Sequence, residues 1–252
     1  MRSDKSISAH SDLIPFVSIV IPVFNEAKRI YNLNEILDYC KDNIPDYEIV
    51  VVDDGSVDDT VNLASEILKR CPKNKILISD KNYGKGHAVA KGMTASKGQL
   101  KVFLDIDLAT PIKYLKPAIV ELDNSDIIIA TRKNGMAVLI KRQSFVRENL
   151  GKCFTFVSQI ILNTWVSDFT CGFKLFRASA ADRIFSLSKV NRWAFDSEVL
   201  FLARKMNYRV KEMPVEWTND SDTRVNIVQV IIPTLFELIQ IRFRKYPNSN
   251  SS

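Results

Sequence analysis

Two aspartates, Asp105 and Asp107, stand one residue apart in "KVFLDIDLATP" (101–111), where an apolar run ends and a proline closes the segment. Side chains alternate along a strand, so at a strand end this pair would project to the same side. Two carboxylates that close repel and raise each other's pKa, and a hard divalent cation relieves the repulsion by taking oxygen ligands from one or both. A cation that carries a diphosphate suits such a pair. A bare Asp-x-Asp can also do less, with an Asp or Thr110 capping a helix that has Pro111 in its first turn.

Two further segments place acids where apolar runs end. "VVDDGSVDDT" (51–60) follows a buried-strand pattern with Asp53, Asp54 and a Gly-Ser turn that leads into a helical pattern. "IPVFNEAKRI" (21–30) opens a helix after the first strand, with Pro22, Phe24, Asn25 and Glu26 at the crest. Each alone reads as turn chemistry and N-capping. Together, at successive strand ends, they read as a nucleotide pocket whose carboxylates accept from a base or a ribose.

The elements that must position these acids are legible as alternating patterns. Apolar runs rich in Val and Ile at 16–23, 47–54, 75–80, 100–107 and 125–132 are separated by helical stretches. Runs that continuous suit strands covered on both faces, so they predict a mostly parallel sheet with helical crossovers. In such sheets ligands sit beyond the carboxyl ends of the strands. After Arg132 the chain turns basic. A helical pattern then runs from about Phe145 to Trp165, followed by a "GFKLF" strand, a helical "FDSEVLFLARKM" and an extended "YRVKEMPVEW".

The fold class expected is α/β: one Rossmann-like domain with a C-terminal amphipathic helix. Its boundaries are a flexible segment at 1–15, a domain at 16–225 split into a nucleotide-binding half (16–131) and an acceptor half (132–225), a helix at 226–246 and a disordered tail at 247–252. A chain of 252 residues that is 46% hydrophobic is long enough for one sizeable core.

The net charge of +6 is uneven, with six basic residues against Glu148 alone between Arg132 and Lys152. That excess points to a local anionic partner. The four cysteines form no C-x-x-C pair and the two histidines offer no metal-ligand spacing, which favours a reduced, cytosolic chain. The start is polar rather than signal-like, and no apolar run reaches the ~18 residues of a membrane span.

In order and spacing, "VSIVIPVFNE", "VVDDGSVDDT", "NYGKGHAVAKGM", "DIDLATP", "DFTCGFKLFR" and "RWAFDSEVLFLA" resemble the family 2 glycosyltransferases of GT-A fold. The likeness is to the dolichyl- or polyprenyl-phosphate hexose synthases, most of all the dolichyl-phosphate β-glucosyltransferases. It covers about residues 16 to 245. It implies an inverting transfer of a hexose from a nucleotide sugar to a lipid phosphate, with Mg²⁺ or Mn²⁺. It puts the donor's base and ribose near Pro22, Phe24, Glu26, Asp53 and Asp54, the nucleotide at Asp105 and the cation at Asp107 with Asp105. Where the family often has Asp-Ala-Asp this chain has Ile106, whose side chain should point away from the cation. Asp168 matches an acidic position near the family's reaction centre, giving it an acceptor-orienting or base-like role.

A phosphate monoester, with its second pKa at about 6, is largely dianionic at neutral pH and needs no strong base to act as nucleophile. Basic side chains must instead hold it, and Arg132, Arg142 and Arg147 are the candidates because Arg suits bidentate phosphate contact. The alternative for these is a solvated loop and a helix surface. "NYGKGH" reads as an anion cradle at a helix start with Lys85 near a phosphate or sugar, or as a plain turn. Arg192, Trp193 and Asp196 fit a pocket wall; equally, Trp193 and Phe195 can be core with Asp196 as a cap.

"VNIVQVIIPTLFELIQIRFRKY" has a narrow polar stripe (Asn226, Gln229, Glu237, Gln240, Arg244) and a broad apolar face. That suits a helix in the headgroup region of a membrane, or one packed on the core or a second subunit. The expectation is a peripheral enzyme on the cytoplasmic face of a membrane, with no nucleic-acid partner. UDP-glucose is the donor favoured by resemblance. The competing readings are a GDP-mannose-dependent mannose synthase, a family 2 transferase acting on a saccharide hydroxyl, and a non-catalytic nucleotide-sensing module.

Overall fold

The computed structural model describes residues 16–133, 137–141, 145–218 and 227–247. The expected flexible start (1–15), most of the tail and Arg142 lie outside the described residues. In chain order the elements are β1 (Val17–Val23), α1 (Leu33–Asn43), β2 (Tyr47–Asp53), α2 (Thr60–Leu68), β3 (Asn74–Ile78), α3 (Lys85–Ala95), β4 (Leu100–Leu104), α4 (Leu115–Glu121) and β5 (Ile127–Thr131). They continue with β6 (Val138–Lys141), α5 (Phe145–Leu162), β7 (Phe173–Arg177), α6 (Ala178–Leu187), α7 (Phe195–Lys205), β8 (Val210–Pro214), β9 (Glu216–Thr218) and α8 (Ile227–Phe243).

Among the described residues seven strands form one sheet in the order β3-β2-β1-β4-β7-β5-β8. The pairs β1–β2, β1–β4, β2–β3 and β5–β8 are parallel, and β7 runs antiparallel to both of its neighbours, β4 and β5. The continuous Val/Ile runs are explained by burial on both faces. Ile19, Ile21, Ile49 and Val51 face the layer that holds Leu33, Ile36 and Leu115, while Val20, Val50 and Val52 face the layer of Val89, Phe195 and Leu202. A methyl on Gly92 of α3 would stand 2.4 Å from Val20 Cγ1, so that helix lies close against the sheet.

β7 belongs to the half expected to be the acceptor side, yet it completes the sheet at its centre. Its insertion beside β4 brings residues 168–172 to the end of the strand that leads into Asp105, where Asp105 N–H donates to Gly172 O at 3.0 Å. The topology therefore gathers both halves of the chain at one sheet edge.

The C-terminal helix forms, but not as the stripe pattern predicts. Thr234, Leu238 and Ile241 are buried, whereas Phe236, Ile239 and Phe243 are exposed. The polar members Glu237 and Arg244 turn toward the protein: a Glu237 oxygen accepts the Ala194 N–H at 3.2 Å, and Arg244 donates to Glu198 at 3.0 Å. Glu237 and Arg244 meet internal partners because α8 packs against α5 and α7, while Gln240 stays exposed. Among the described residues no helix is long and apolar enough to cross a membrane.

Candidate functional site

The loops after β1 and β2 lock together. Asn25, in the left-handed region at φ 53°, receives its place from its N–H to Ser56 Oγ (2.8 Å) and from Val57 N–H to its Oδ1 (2.9 Å), while Glu26 N–H donates to Thr60 Oγ1 (2.7 Å). Pro22 is half-buried at the end of β1, Phe24 is exposed, and Glu26 holds Arg29 with both carboxylate oxygens. The hydroxyls of "DDGSVDDT" thus do turn chemistry across to the first loop rather than capping α2 alone.

Asp53 and Asp54 have different fates although both are buried. One Asp53 oxygen accepts the N–H groups of Gly55 (3.1 Å) and Ser56 (3.0 Å); the other, Oδ1, is buried with no hydrogen-bond partner among the described residues. A buried carboxylate oxygen left unmatched is costly unless a ligand donates to it. Asp54, expected at the donor, has a structural task in this fold. Its oxygens accept Tyr83 N–H at 3.1 Å and Gly84 N–H at 2.7 Å, so its lone pairs hold the turn that starts α3. Gly84 needs its freedom there: φ is +114°, and a methyl would meet Asn191 O at 2.4 Å.

β4 ends at Leu104, one residue before the aspartate pair. Asp105 and Asp107 therefore owe their placement to a tight turn and not to strand alternation, a correction to the sequence reading. Leu108 N–H closes the turn on Asp105 O (3.1 Å) with Leu108 at φ 49°, Ala109 N–H donates to Asp107 Oδ1 (3.0 Å), and the Asn32 amide donates to Ile106 O (2.8 Å). Ile106 is buried in the core layer, facing away from solvent. The capping reading fails, because the short turn that begins at Ile112 has no side-chain cap and Thr110 meets Cys171 Sγ instead.

Lys85, the first residue of α3, reaches across to Asp105, with Nζ 2.6 Å from Oδ1 and 2.7 Å from Oδ2. Burial alone would lower the lysine's pKa, but Asp105 and Asp196 raise it overall. Asp107 is pushed above the ordinary carboxylate range by burial and by the neighbouring Asp105. That is the repulsion a cation relieves, and two carboxylates offer the hard oxygen donors a divalent ion accepts. Such an ion takes about six or more oxygens, so two carboxylates would leave coordination positions for others.

Across the end of β5, Arg132 forms a two-pronged pair with Asp168: Nε to Oδ2 at 2.7 Å and Nη2 to Oδ1 at 2.9 Å. Its guanidinium lies over the Trp217 ring at 5.1 Å and donates to Thr170 Oγ1 at 3.0 Å. Asp168 is fully buried; burial would raise its pKa, yet Arg132 holds it well below the usual carboxylate range. Such a carboxylate is a poor base and a firm support for Arg132, so of its two expected roles the geometry favours orientation. Lys133, whose pKa burial lowers, donates to Thr155 Oγ1 at 2.7 Å and lies 3.8 Å from Asp168 Oδ1. Arg147 falls in α5 with its side chain outside the described residues.

Arg192 and Trp193 are both exposed, and Trp193 is thus no core residue. Arg192 lines an open cleft of about 610 Å³ with Lys81, Tyr83, Asn191, Glu237 and Arg244. Asp196 does not join that wall and caps nothing. It is buried against Lys174, which also donates to Cys171 O at 2.9 Å. Burial raises the Asp196 pKa despite that lysine.

Sequence reasoning missed Lys174, Gly172 and Glu198. A lysine within the apolar strand "GFKLF" and a glutamate within the apolar helix "FDSEVLFL" were signals, since such charges are buried only with partners.

A carboxylate-lined edge of a mostly parallel sheet, bordered by lysine and arginine, defines a sugar-nucleotide transferase type of site, and residues 18–185 match the family described as Glycosyl transferase family 2. The chain belongs to that family and is a glycosyltransferase. It is 31% identical over 243 residues to a dolichyl-phosphate beta-glucosyltransferase of Dictyostelium discoideum, covering 91% of this chain and 74% of the relative. It is 33% identical over 217 residues to the Homo sapiens dolichyl-phosphate beta-glucosyltransferase, covering 80% and 67%.

Among solved structures, glucosyl-3-phosphoglycerate synthase from Mycobacterium tuberculosis with Mn²⁺, UDP and phosphoglyceric acid superposes at a TM-score of 0.68 with 17% identity, over 93% of this chain and 80% of that one. The mannosyltransferase PcManGT from Pyrobaculum calidifontis with GDP-Man and Mn²⁺ gives 0.61 and 21%, over 92% and 66%. These two likenesses establish the GT-A fold.

Proposed function

We propose that this glycosyltransferase moves glucose from UDP-glucose to a dolichyl or polyprenyl phosphate with inversion, using Mg²⁺ or Mn²⁺. The observation that carries the reading is the meeting of Asp105, Asp107 and Lys85 beyond β4: two carboxylates and an ammonium at one point suit a cation and a diphosphate together. The relatives that bear the dolichyl-phosphate beta-glucosyltransferase name support the donor sugar and the acceptor.

Asp105 and Asp107 would hold the cation, which when bound supplies charge to the departing nucleoside diphosphate. The unmatched Asp53 oxygen offers an acceptor to a base N–H. Arg132, steadied by Asp168 and Trp217, presents a fixed positive charge to the acceptor phosphate, and Lys133 adds a second beside it. A dianionic phosphate then needs orientation more than deprotonation, which matches a site whose buried acid is kept ionised.

We place the enzyme peripherally at a membrane surface, where its acceptor would reside. Exposed Phe236, Ile239 and Phe243 on α8 and Phe156 and Ile160 on the neighbouring α5 support this, with Arg242 and Lys245 at the helix end.

The test is transfer of labelled sugar from UDP-glucose, GDP-mannose and UDP-N-acetylglucosamine to a polyprenyl phosphate, with Mg²⁺ or Mn²⁺ and with chelator. Chelator-sensitive, acid-labile glycolipid from UDP-glucose, lost in Asp107→Ala without loss of fold, is the expected result. Product from GDP-mannose alone would reassign the donor, and no glycolipid from any donor would overturn the acceptor.

A further inference from the structure

Lys85 touches both oxygens of Asp105, at 2.6 and 2.7 Å. Those are the oxygens that Asp105 would lend to a divalent cation. Asp107 and Asp196 also act on the ammonium electrostatically, and the Phe195 ring lies 6.0 Å from it. A divalent cation arriving at oxygens that the ammonium already contacts meets its repulsion at short range.

The backbone that carries Lys85 is pinned. Asp54 grips Tyr83 N–H and Gly84 N–H, His87 N–H donates to Asn191 O at 3.1 Å, and a methyl on Gly86 would stand 2.5 Å from both Phe195 Cβ and Val190 O. Relief must come from rotation of the lysine's flexible four-carbon stem, and the helix start stays where it is.

We propose that Lys85 is a built-in competitor of the divalent cation at Asp105, displaced when the nucleoside diphosphate offers its phosphate oxygens to the ammonium. Cation alone must evict Lys85 from its partner and binds weakly. Cation and nucleotide together leave every charge matched, with Lys85 on phosphate and Asp105 on the cation, so each strengthens the other reciprocally. The inference rests on the reading of Asp105 and Asp107 as cation ligands and adds to it the residue that couples the two ligands.

Mn²⁺ binding, read from the electron paramagnetic resonance signal of the free ion, tests this without turnover. Wild type, Lys85→Met and Lys85→Gln are titrated with Mn²⁺ alone and with UDP, with GDP in parallel. Lys85 begins a helix and its side chain is 28% exposed, so neither variant opens a core cavity, and circular dichroism checks the fold. Wild type should bind Mn²⁺ at least about tenfold more tightly with nucleotide, and both variants should bind Mn²⁺ alone about tenfold more tightly than wild type.

Variants that bind Mn²⁺ alone no better than wild type, beside intact nucleotide coupling in wild type, would overturn the role of Lys85. A wild type whose Mn²⁺ affinity ignores both nucleotides would instead overturn the reading of the Asp105–Asp107 site, and this inference with it.

Discussion

Gly172 and Asp105 fit together so closely that a Cβ on the glycine would stand 2.0 Å from Asp105 Oδ2 and 2.5 Å from its Cγ. Asp105 in turn donates its N–H to Gly172 O at 3.0 Å. The aim of the aspartate therefore depends on a residue 67 positions later, contributed by the turn that precedes β7.

Gly172→Ala should push the Asp105 carboxylate off its position. A shift of about 1 Å at a reacting centre costs on the order of a hundredfold in rate, while overpacking costs about 1–3 kcal/mol of stability. Turnover measured beside thermal unfolding should show a loss of activity out of proportion to the loss of fold. Unchanged turnover would mean that Asp105 tolerates displacement.

Asp168→Asn should remove the charge that balances Arg132 in a buried site, at a cost on the order of 3 kcal/mol. Because Arg132 depresses the folded-state pKa of Asp168, its contribution to stability is fully present above the ordinary carboxylate pKa. It is lost only as pH falls through the depressed folded value. Urea midpoints of wild type and variant should therefore differ by a constant amount between about pH 5 and 8. A gap that closes toward pH 5 would contradict the pairing.

Tyr246→Phe should weaken the anchoring of the chain's C-terminal stretch. Tyr246 Oη donates to the fully buried Glu198 at 2.6 Å, and the other Glu198 oxygen accepts Lys189 and Val190 N–H, both at 2.7 Å. A hydrogen bond to a charged group contributes about 1.5–3 kcal/mol. A fall of several degrees in Tm is expected, because a chain of this size loses roughly 2–4 °C per kcal/mol. Glu198→Gln should cost more, since it also removes the charge opposite Arg244.

Phe236→Asp with Phe243→Asp should reduce flotation with vesicles that contain anionic lipid while leaving stability close to wild type, as both side chains are well exposed. Binding that persists in the double variant would remove α8 from the membrane contact.

Much of the fold was legible because strand burial writes itself into the sequence. Ile19 and Ile21 face one helical layer and Val20 the other, so both faces demand apolar residues and the run reads as continuous. The acids at the ends of β2 and β4 were legible as well, as charged residues where the apolar runs stop. Less legible was the use of each acid. Asp53 and Asp54 are adjacent and chemically identical, yet one leaves an oxygen unmatched and the other grips the turn before α3. Asp53 turns to the adjacent Gly55 and Ser56, whereas the partners of Asp54 are fixed by how the turn at 81–84 folds back.

The sequence by itself determined the alternation of strands and helices, the family, and the gathering of carboxylates and basic residues, all of which follow from burial patterns and motif order along the chain. Only the tertiary structure decided that β7 enters antiparallel beside β4, that Lys85 holds Asp105, that Asp168 serves Arg132, and that Asp196 is buried with Lys174. Each of these joins residues 20 or more positions apart. A charge takes the opposite charge that packing places within reach, and that placement is a property of three-dimensional packing, not of spacing in the chain.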